Sequence, residues 1–148
     1  MEGFRELRFT NLNQVLQELS SLEKAGKGTL GNWSYFQILT HLAETIEASY
    51  TLVPPPANPV DARTTEVLFR RLQKSGKMKP GYLNPALPQS REEGDTASAM
   101  NRLMVAIRSF GESKQLNPEP TLGYLNHEQF EFLHAIHCAL HLGFVKAG

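Results

Sequence analysis

Leu133-His134-Ala135-Ile136-His137-Cys138-Ala139-Leu140-His141-Leu142-Gly143-Phe144 decides how this chain is read. From Phe132 to Val145 no residue carries a formal charge. A helix advances about 100° per residue, so His134, His137 and His141 fall within about 60° of one another. They share that sector with Phe130, Leu133 and Phe144, which turns three imidazoles toward the core. A buried polar group without a hydrogen bond costs about 1–3 kcal/mol, so each ring needs a partner. A cation can serve several at once, and histidine is the commonest metal ligand. Core histidines bonded to a carbonyl or hydroxyl are one competing reading; a pH-sensing or subunit-contact cluster is another.

Spacing limits the choice. His134 and His141 are seven residues apart, about 10.5 Å along a helix axis. That is too far for both to bind one ion when Zn–N bonds are about 2.0–2.1 Å. The pair is His137/His141 or His134/His137. A third ligand must come from another helix, and His41 is the histidine at hand there. It sits at the margin of its helix's apolar stripe, with small Thr45 and Ala48 along the same line. His127, in the first turn of the last helix, reads as a solvated turn residue.

Working outward, four segments show helical periodicity. The last begins at Asn126, with Gln129 three on to close a capping box and Leu125/Phe130 as a staple, and runs to about Val145. The first spans about Asn11 to Ala25, with Leu12, Val15, Leu16, Leu19 and Leu22 as its stripe and Gly26-Lys27-Gly28 as its end. The second starts at Trp33-Ser34, with a Ser34/Gln37 capping box and a Trp33/Ile38 staple. It runs to about Leu52 before Pro54-Pro55-Pro56. Its stripe is Tyr35, Ile38, Leu39, Leu42, Ile46 and Tyr50. The third starts near Ser90 with Glu93 as its box partner and closes at Gly111; its stripe is Met100, Leu103, Met104, Ile107 and Phe110. Nearly 40 residues separate the second and third helices. They carry turn chemistry at Pro54–Pro59, Ser75-Gly76, Pro80-Gly81, Pro85 and Pro88, and a short helix fits at about Thr65 to Lys74. The expectation is an all-α single domain over residues 1–148, a four-helix bundle with a long crossover between helices 2 and 3.

Composition narrows the class. The chain has 148 residues, 15 Lys+Arg against 15 Asp+Glu, one Cys and five His. A single Cys excludes an intramolecular disulfide and a CxxC site. Charge neutrality argues against a nucleic-acid binder, and Arg70, Arg71, Lys74, Lys77 and Lys79 read as a solvated face. No apolar run approaches ~18 residues, so no membrane partner is expected. The start lacks the order of a signal peptide, which makes the cytoplasm the expected location.

Gly31-Asn32-Trp33-Ser34 leading into Ile38-Leu39-Thr40-His41-Leu42-Ala43-Glu44 resembles the second helix of the DinB/YfiT-like superfamily of metalloenzymes. The stretch from Leu133 to Phe144 resembles its last helix. The branch is identified as domain of unknown function family 1569, and the likeness covers nearly the whole chain. It implies an up-down-down-up DinB-like four-helix bundle. It also implies three metal ligands, His41, His137 and His141, with Gly143 matching a glycine two beyond the last. His134 is then a neighbour of the site. Leu142-Gly143-Phe144 stands where many relatives carry Arg and Gln, which removes the basis for assuming shared substrate contacts.

Three neutral imidazoles leave a position open on zinc or nickel, as in catalytic sites. Such an ion lowers the pKa of a bound water to about 7 or holds a thiolate. Relatives in the superfamily include thiol-dependent transferases and isomerases. The leading expectation is a metal-dependent transferase or hydrolase acting on a small-molecule substrate, with a low-molecular-weight thiol as the candidate partner. Glu44, one turn from His41, is a candidate to orient a ligand or move a proton, against the plainer reading of an exposed helix-face carboxylate. Trp33, Tyr35, Tyr82 and Tyr124 are candidates to line a pocket. Cys138 reads as a small buried side chain. The alternative is a non-catalytic module that binds a small ligand or forms a homodimer through Phe132, Ile136 and Leu142, with structural or vestigial histidines.

Overall fold

The computed structural model describes residues 4–22, 28–30, 33–78 and 93–146. Among them the chain is all-helical, with five helices and no strand: α1 (Leu12–Leu22), α2 (Tyr35–Tyr50), α3 (Ala62–Ser75), α4 (Thr96–Glu112) and α5 (His127–Leu142). None of these is long and apolar enough to cross a membrane.

The helices that carry the histidines begin where local chemistry dictates. Ser34 accepts from the Gln37 backbone while the Gln37 side chain reaches back to Ser34, and Asn126 and Gln129 do the same for α5. These reciprocal bonds satisfy N–H groups that no helical carbonyl can reach. α2 stops at Tyr50, slightly before the expected end, where Asn117 takes over one carbonyl of its last turn and that of the capping residue Thr51. Asn117 Nδ2 donates to Ala48 O at 2.8 Å and to Thr51 O at 2.7 Å.

Three expectations fail around α4. Ser90 lies outside the described residues, and Glu93 precedes the helix instead of closing a box inside it. Its carboxylate accepts from Ser34 Oγ at 2.5 Å. Asp95 caps α4, accepting from Ser98 N at 3.1 Å and Ser98 Oγ at 2.7 Å. Gly111 does not end the helix either. It has no left-handed φ, and α4 continues to Glu112. Met104, expected in the buried stripe, is 43% exposed, while Ala99 and Ala106 are buried. Close approach to α2 favours the small side chains.

The crossover also holds more structure than the expected short helix. Asp61 caps α3 through Thr64, and Gly76 ends it at φ 68°. Only Thr65 and Phe69 of α3 are buried. Phe69 meets Phe132 of α5 at 5.8 Å, and Thr65 Oγ1 donates to Leu122 O at 2.5 Å. Tyr82, Lys79 and the Pro80–Pro88 turns lie outside the described residues.

One apolar cluster unites all five helices. The start of α2 meets the segment entering α4, through Ser34–Glu93 and the Phe36 ring against Gly94. Its end meets the segment leaving α4, where Asn117 N donates to Ser49 O at 2.8 Å. Glu131 of α5 takes the first N–H of α1. The chain just past α1 pairs with the chain just past α5, Thr29 bridging Val145. The flank of α5 offered for dimerisation is not a free surface: Ile136 and Leu142 are buried in this cluster and Phe132 packs on Phe69.

Candidate metal centre

α2 and α5 bring three of the histidines to one point. His137 and His141 are four apart and so are neighbours on the helix surface. Nε2 of His137 lies 3.1 Å from Nε2 of His41 and 3.1 Å from Nε2 of His141. One ligand atom from each of the three lies within 4.8 Å of the others, a group that could hold a metal ion. His41 and His137 are buried and His141 is half-buried.

The electrostatics favour ligation. Burial keeps the rings neutral, lowering His41 to about 4. Burial, then the neighbouring His41, lowers His141 to about 3. His137 is held well below 6.5, again by burial first and then by the adjoining imidazoles. A neutral imidazole is the metal-binding form. Each Nε2 is either one N–H or one lone pair aimed in one direction. His137 can therefore point at one of its two neighbours by hydrogen bond, not at both. Nδ1 of His41 is buried and meets no hydrogen-bond partner among the described residues. Metal-ligating imidazoles usually donate that second N–H to an oxygen, so His41 departs from the common pattern.

Trp33 roofs the cluster. Its indole lies nearly parallel to His141, 11° between planes at 5.5 Å, and edge-on to His41 at 4.9 Å. Thr29 Oγ1 donates to the Trp33 carbonyl at 2.8 Å and helps fix that position.

His134 goes elsewhere. It is 1% exposed, and its Nε2 lies 3.0 Å from Ser49 Oγ, which donates onward to Ile46 O at 2.6 Å. That donation makes His134 Nε2 the N–H donor to Ser49. Phe130 stacks on its ring and Phe110 meets it edge-on, both at 4.9 Å. Burial lowers it to about 3. His134 is a satisfied core histidine.

Glu44 is half-buried, its carboxyl raised by burial against the pull of Arg102. It thus belongs electrostatically with α4, and no hydrogen bond joins it to His41 among the described residues. His127 overturns its reading as a solvated turn residue. It stacks on Phe110 at 4.4 Å, and its Nε2 lies 2.9 Å from Phe110 O. Tyr124 is exposed and Tyr35 lies in the core. Cys138 is buried and its thiol is pushed up to about 12. Arg70 pairs with Glu66 and Lys77 with Glu6, so two of the crossover cations are answered within the chain.

A family model described as "Protein of unknown function (DUF1569)" matches residues 1–147. The chain belongs to that family. No curated protein and no solved structure matches it significantly. In this DUF1569 member the sequence reading missed Ser49, the partner that removes His134 from the cluster. Its only signal is the eight-residue spacing from His41, which mirrors the seven between His134 and His141. It also missed Asn117 and Arg5, whose partners lie far away in sequence.

Proposed function

We propose that this chain is a metal-dependent enzyme holding one divalent ion, zinc or nickel, on Nε2 of His41, His137 and His141. One observation carries the reading: three neutral imidazole nitrogens converge where hydrogen bonding cannot satisfy them all. Metal–nitrogen bonds of about 2.0–2.1 Å in a tetrahedral shell separate ligand atoms by roughly 3.3 Å, close to the two 3.1 Å separations here. Three protein ligands are the arrangement of a catalytic centre, because a position stays open. A bound ion would supply Lewis acidity toward a water or a thiol. The chain supplies the neutral lone pairs, the burial that excludes water, and the indole that roofs the site.

The reaction class that fits is a transferase or hydrolase acting on a small molecule. A low-molecular-weight thiol fits as co-substrate. The chain's one cysteine is buried with its proton held tightly, so a reactive thiol must come from outside. We also infer that the family is a branch of the DinB/YfiT-like superfamily. The meetings of helix ends support an up-down-down-up order for α1, α2, α4 and α5, with α3 as part of the crossover.

Metal analysis of protein made without a polyhistidine tag tests the centre. About one equivalent of zinc or nickel, lost on chelation, is expected for one open site. Folded protein that takes up neither metal sinks the proposal. A thiol-conjugation and hydrolase screen with and without chelator tests the chemistry, and turnover indifferent to His41→Ala removes the catalytic reading.

A further inference from the structure

His141 is the last ligand of the proposed centre, and α5 ends at the very next residue. The final turn of a helix is its weakest, because the last four carbonyls lack helical partners. Here the N–H groups of Gly143, Phe144 and Val145 close locally on Ala139, His141 and Leu142 O, and the carbonyls from Leu142 onward, at and just past the helix end, are answered by chain from the N-terminal side. Leu142 O accepts from Nη2 of Arg5 at 3.2 Å and Val145 O from Nε of Arg5 at 2.9 Å. Gly143 O accepts from the Arg5 backbone N–H at 3.0 Å, and Phe144 O from Leu30 N at 2.8 Å. Four consecutive carbonyls therefore have partners, three of them from one residue.

The guanidinium is itself held. Its Nη1 lies 3.0 Å from Glu18 of α1, with both side chains at most a quarter exposed. The fit is close. A Cβ on Gly143 would fall 2.5 Å from the Arg5 carbonyl oxygen and 2.7 Å from the Phe4 ring. Gly143 is αR, so approach of the N-terminal segment, not backbone conformation, demands a glycine there. A cation at a helix C-terminus also complements the helix dipole.

Resting on the proposed metal centre, we infer that Arg5 is a positioning residue for His141. Its planar fork, seated on Leu142 O, the last carbonyl of α5, and on Val145 O just past it, holds the last ligand in the geometry that His41 and His137 require. Lysine can keep the charge opposite Glu18 but cannot span Leu142 O and Val145 O together with fixed geometry. The residue acts through the helix end and touches neither ion nor substrate.

The test titrates cobalt(II) into the metal-free full chain and into Arg5→Lys and Arg5→Ala. Arg102→Ala, which breaks the Arg102–Glu47 ion pair between α4 and α2, controls for general loss of stability. Readouts are the visible cobalt spectrum, quenching of Trp33 (the chain's one tryptophan, stacked on His141) and amide exchange over residues 139–145. Cobalt affinity should fall about tenfold or more in both Arg5 variants, the range seen when supports of ligating histidines are removed. The spectrum should weaken as His141 leaves the shell, and exchange should quicken in the last turn of α5. Arg102→Ala should keep the wild-type spectrum and affinity.

If Arg5→Lys binds cobalt with wild-type affinity and spectrum, the inference is overturned and the metal centre stands. The inference is likewise overturned if Arg102→Ala weakens binding as much as Arg5→Lys. If the wild-type chain takes up no cobalt, the centre itself falls, and this inference with it. Should Arg5→Ala prove too unstable to titrate, Arg5→Lys decides alone.

Discussion

Two groups of buried histidine sit one turn apart on α5, and they meet different surroundings. His134 finds a hydroxyl, Ser49 Oγ at 3.0 Å, between two phenylalanine rings. His137 finds two more imidazoles, each with Nε2 3.1 Å away. Both rings are desolvated and neutral. The first has its hydrogen bond inside the chain and needs nothing more. The second faces two imidazoles and can meet only one of them by hydrogen bond. Burial alone does not distinguish a structural histidine from a ligand. The chemistry of the facing atom does.

His137→Ala should break that contrast most completely. It removes the nitrogen flanked by the other two and should take bound metal from about one equivalent to none. The thermal stabilisation by added metal should vanish with it. At metal concentrations about 1,000 times Kd that stabilisation is worth roughly 4 kcal/mol in the parent chain. Metal analysis and a melting curve with and without zinc check both parts. A variant that still melts higher with zinc would place the ion elsewhere.

The opposite phenotype is expected one turn earlier. His134→Ala should leave metal stoichiometry untouched and lower stability by about 2–4 kcal/mol, from a cavity between Phe110 and Phe130 and a lost hydrogen bond. For a chain of this length each kcal/mol is about 2–4 °C in Tm. Denaturant melts paired with metal analysis separate the two histidines. Loss of metal in His134→Ala would erase the distinction.

The contrast also explains which parts of the chain are legible in its sequence. The starts of α2 and α5 can be read because Ser34/Gln37 and Asn126/Gln129 complete their bonds within one turn. The start of α4 cannot. Two capping patterns lie five residues apart there, and a contact between Glu93 and Ser34, 59 residues away, settles the matter. The buried histidine stripe is legible from spacing. Choosing between His134 and His141 is not, because the choice depends on what α2 places opposite each of them. His41 and Ser49 are about 12 Å apart along α2, and His141 and His134 about 10.5 Å along α5. Only the packing of the two helices turns those spacings into pairs. Arg5 is illegible for the same reason, since the carbonyls it holds lie almost a chain length away.

Acid should sharpen the comparison. An unfolded imidazole takes a proton near 6.5, whereas folded His134 stays neutral down to about 3. Its folded value is depressed, so the unfolded state binds the extra proton between those limits. Stability contributed by the neutral ring is full above about 6.5 and falls as pH drops toward about 3. His134→Gln should remove up to about one proton from the uptake on unfolding at pH 5. Denaturant melts from pH 8 to pH 4 measure that slope, and a slope unchanged in the variant would contradict the buried neutral ring. Glu119 has the opposite sign. Burial raises its carboxyl despite bonds from Leu122 N and Thr121 N, so its contribution improves as pH falls.

Glu44→Gln should have the smallest effect, and it tests where the site ends. Glu44 is one turn from His41 in sequence, yet its electrostatic partners are Arg102 and Glu47. Glu47 already engages Arg102 through two bonds, at 2.9 Å and 2.6 Å, so removing the Glu44 charge leaves the link between α2 and α4 in place. Stability should change by no more than about 0.5 kcal/mol, as for substitutions away from a specific network. Metal affinity should stay at the parent value. Isothermal titration with zinc, set beside His134→Gln, provides the measurement. A loss of affinity in Glu44→Gln alone would draw the carboxylate into the centre and extend the site one turn along α2 from His41.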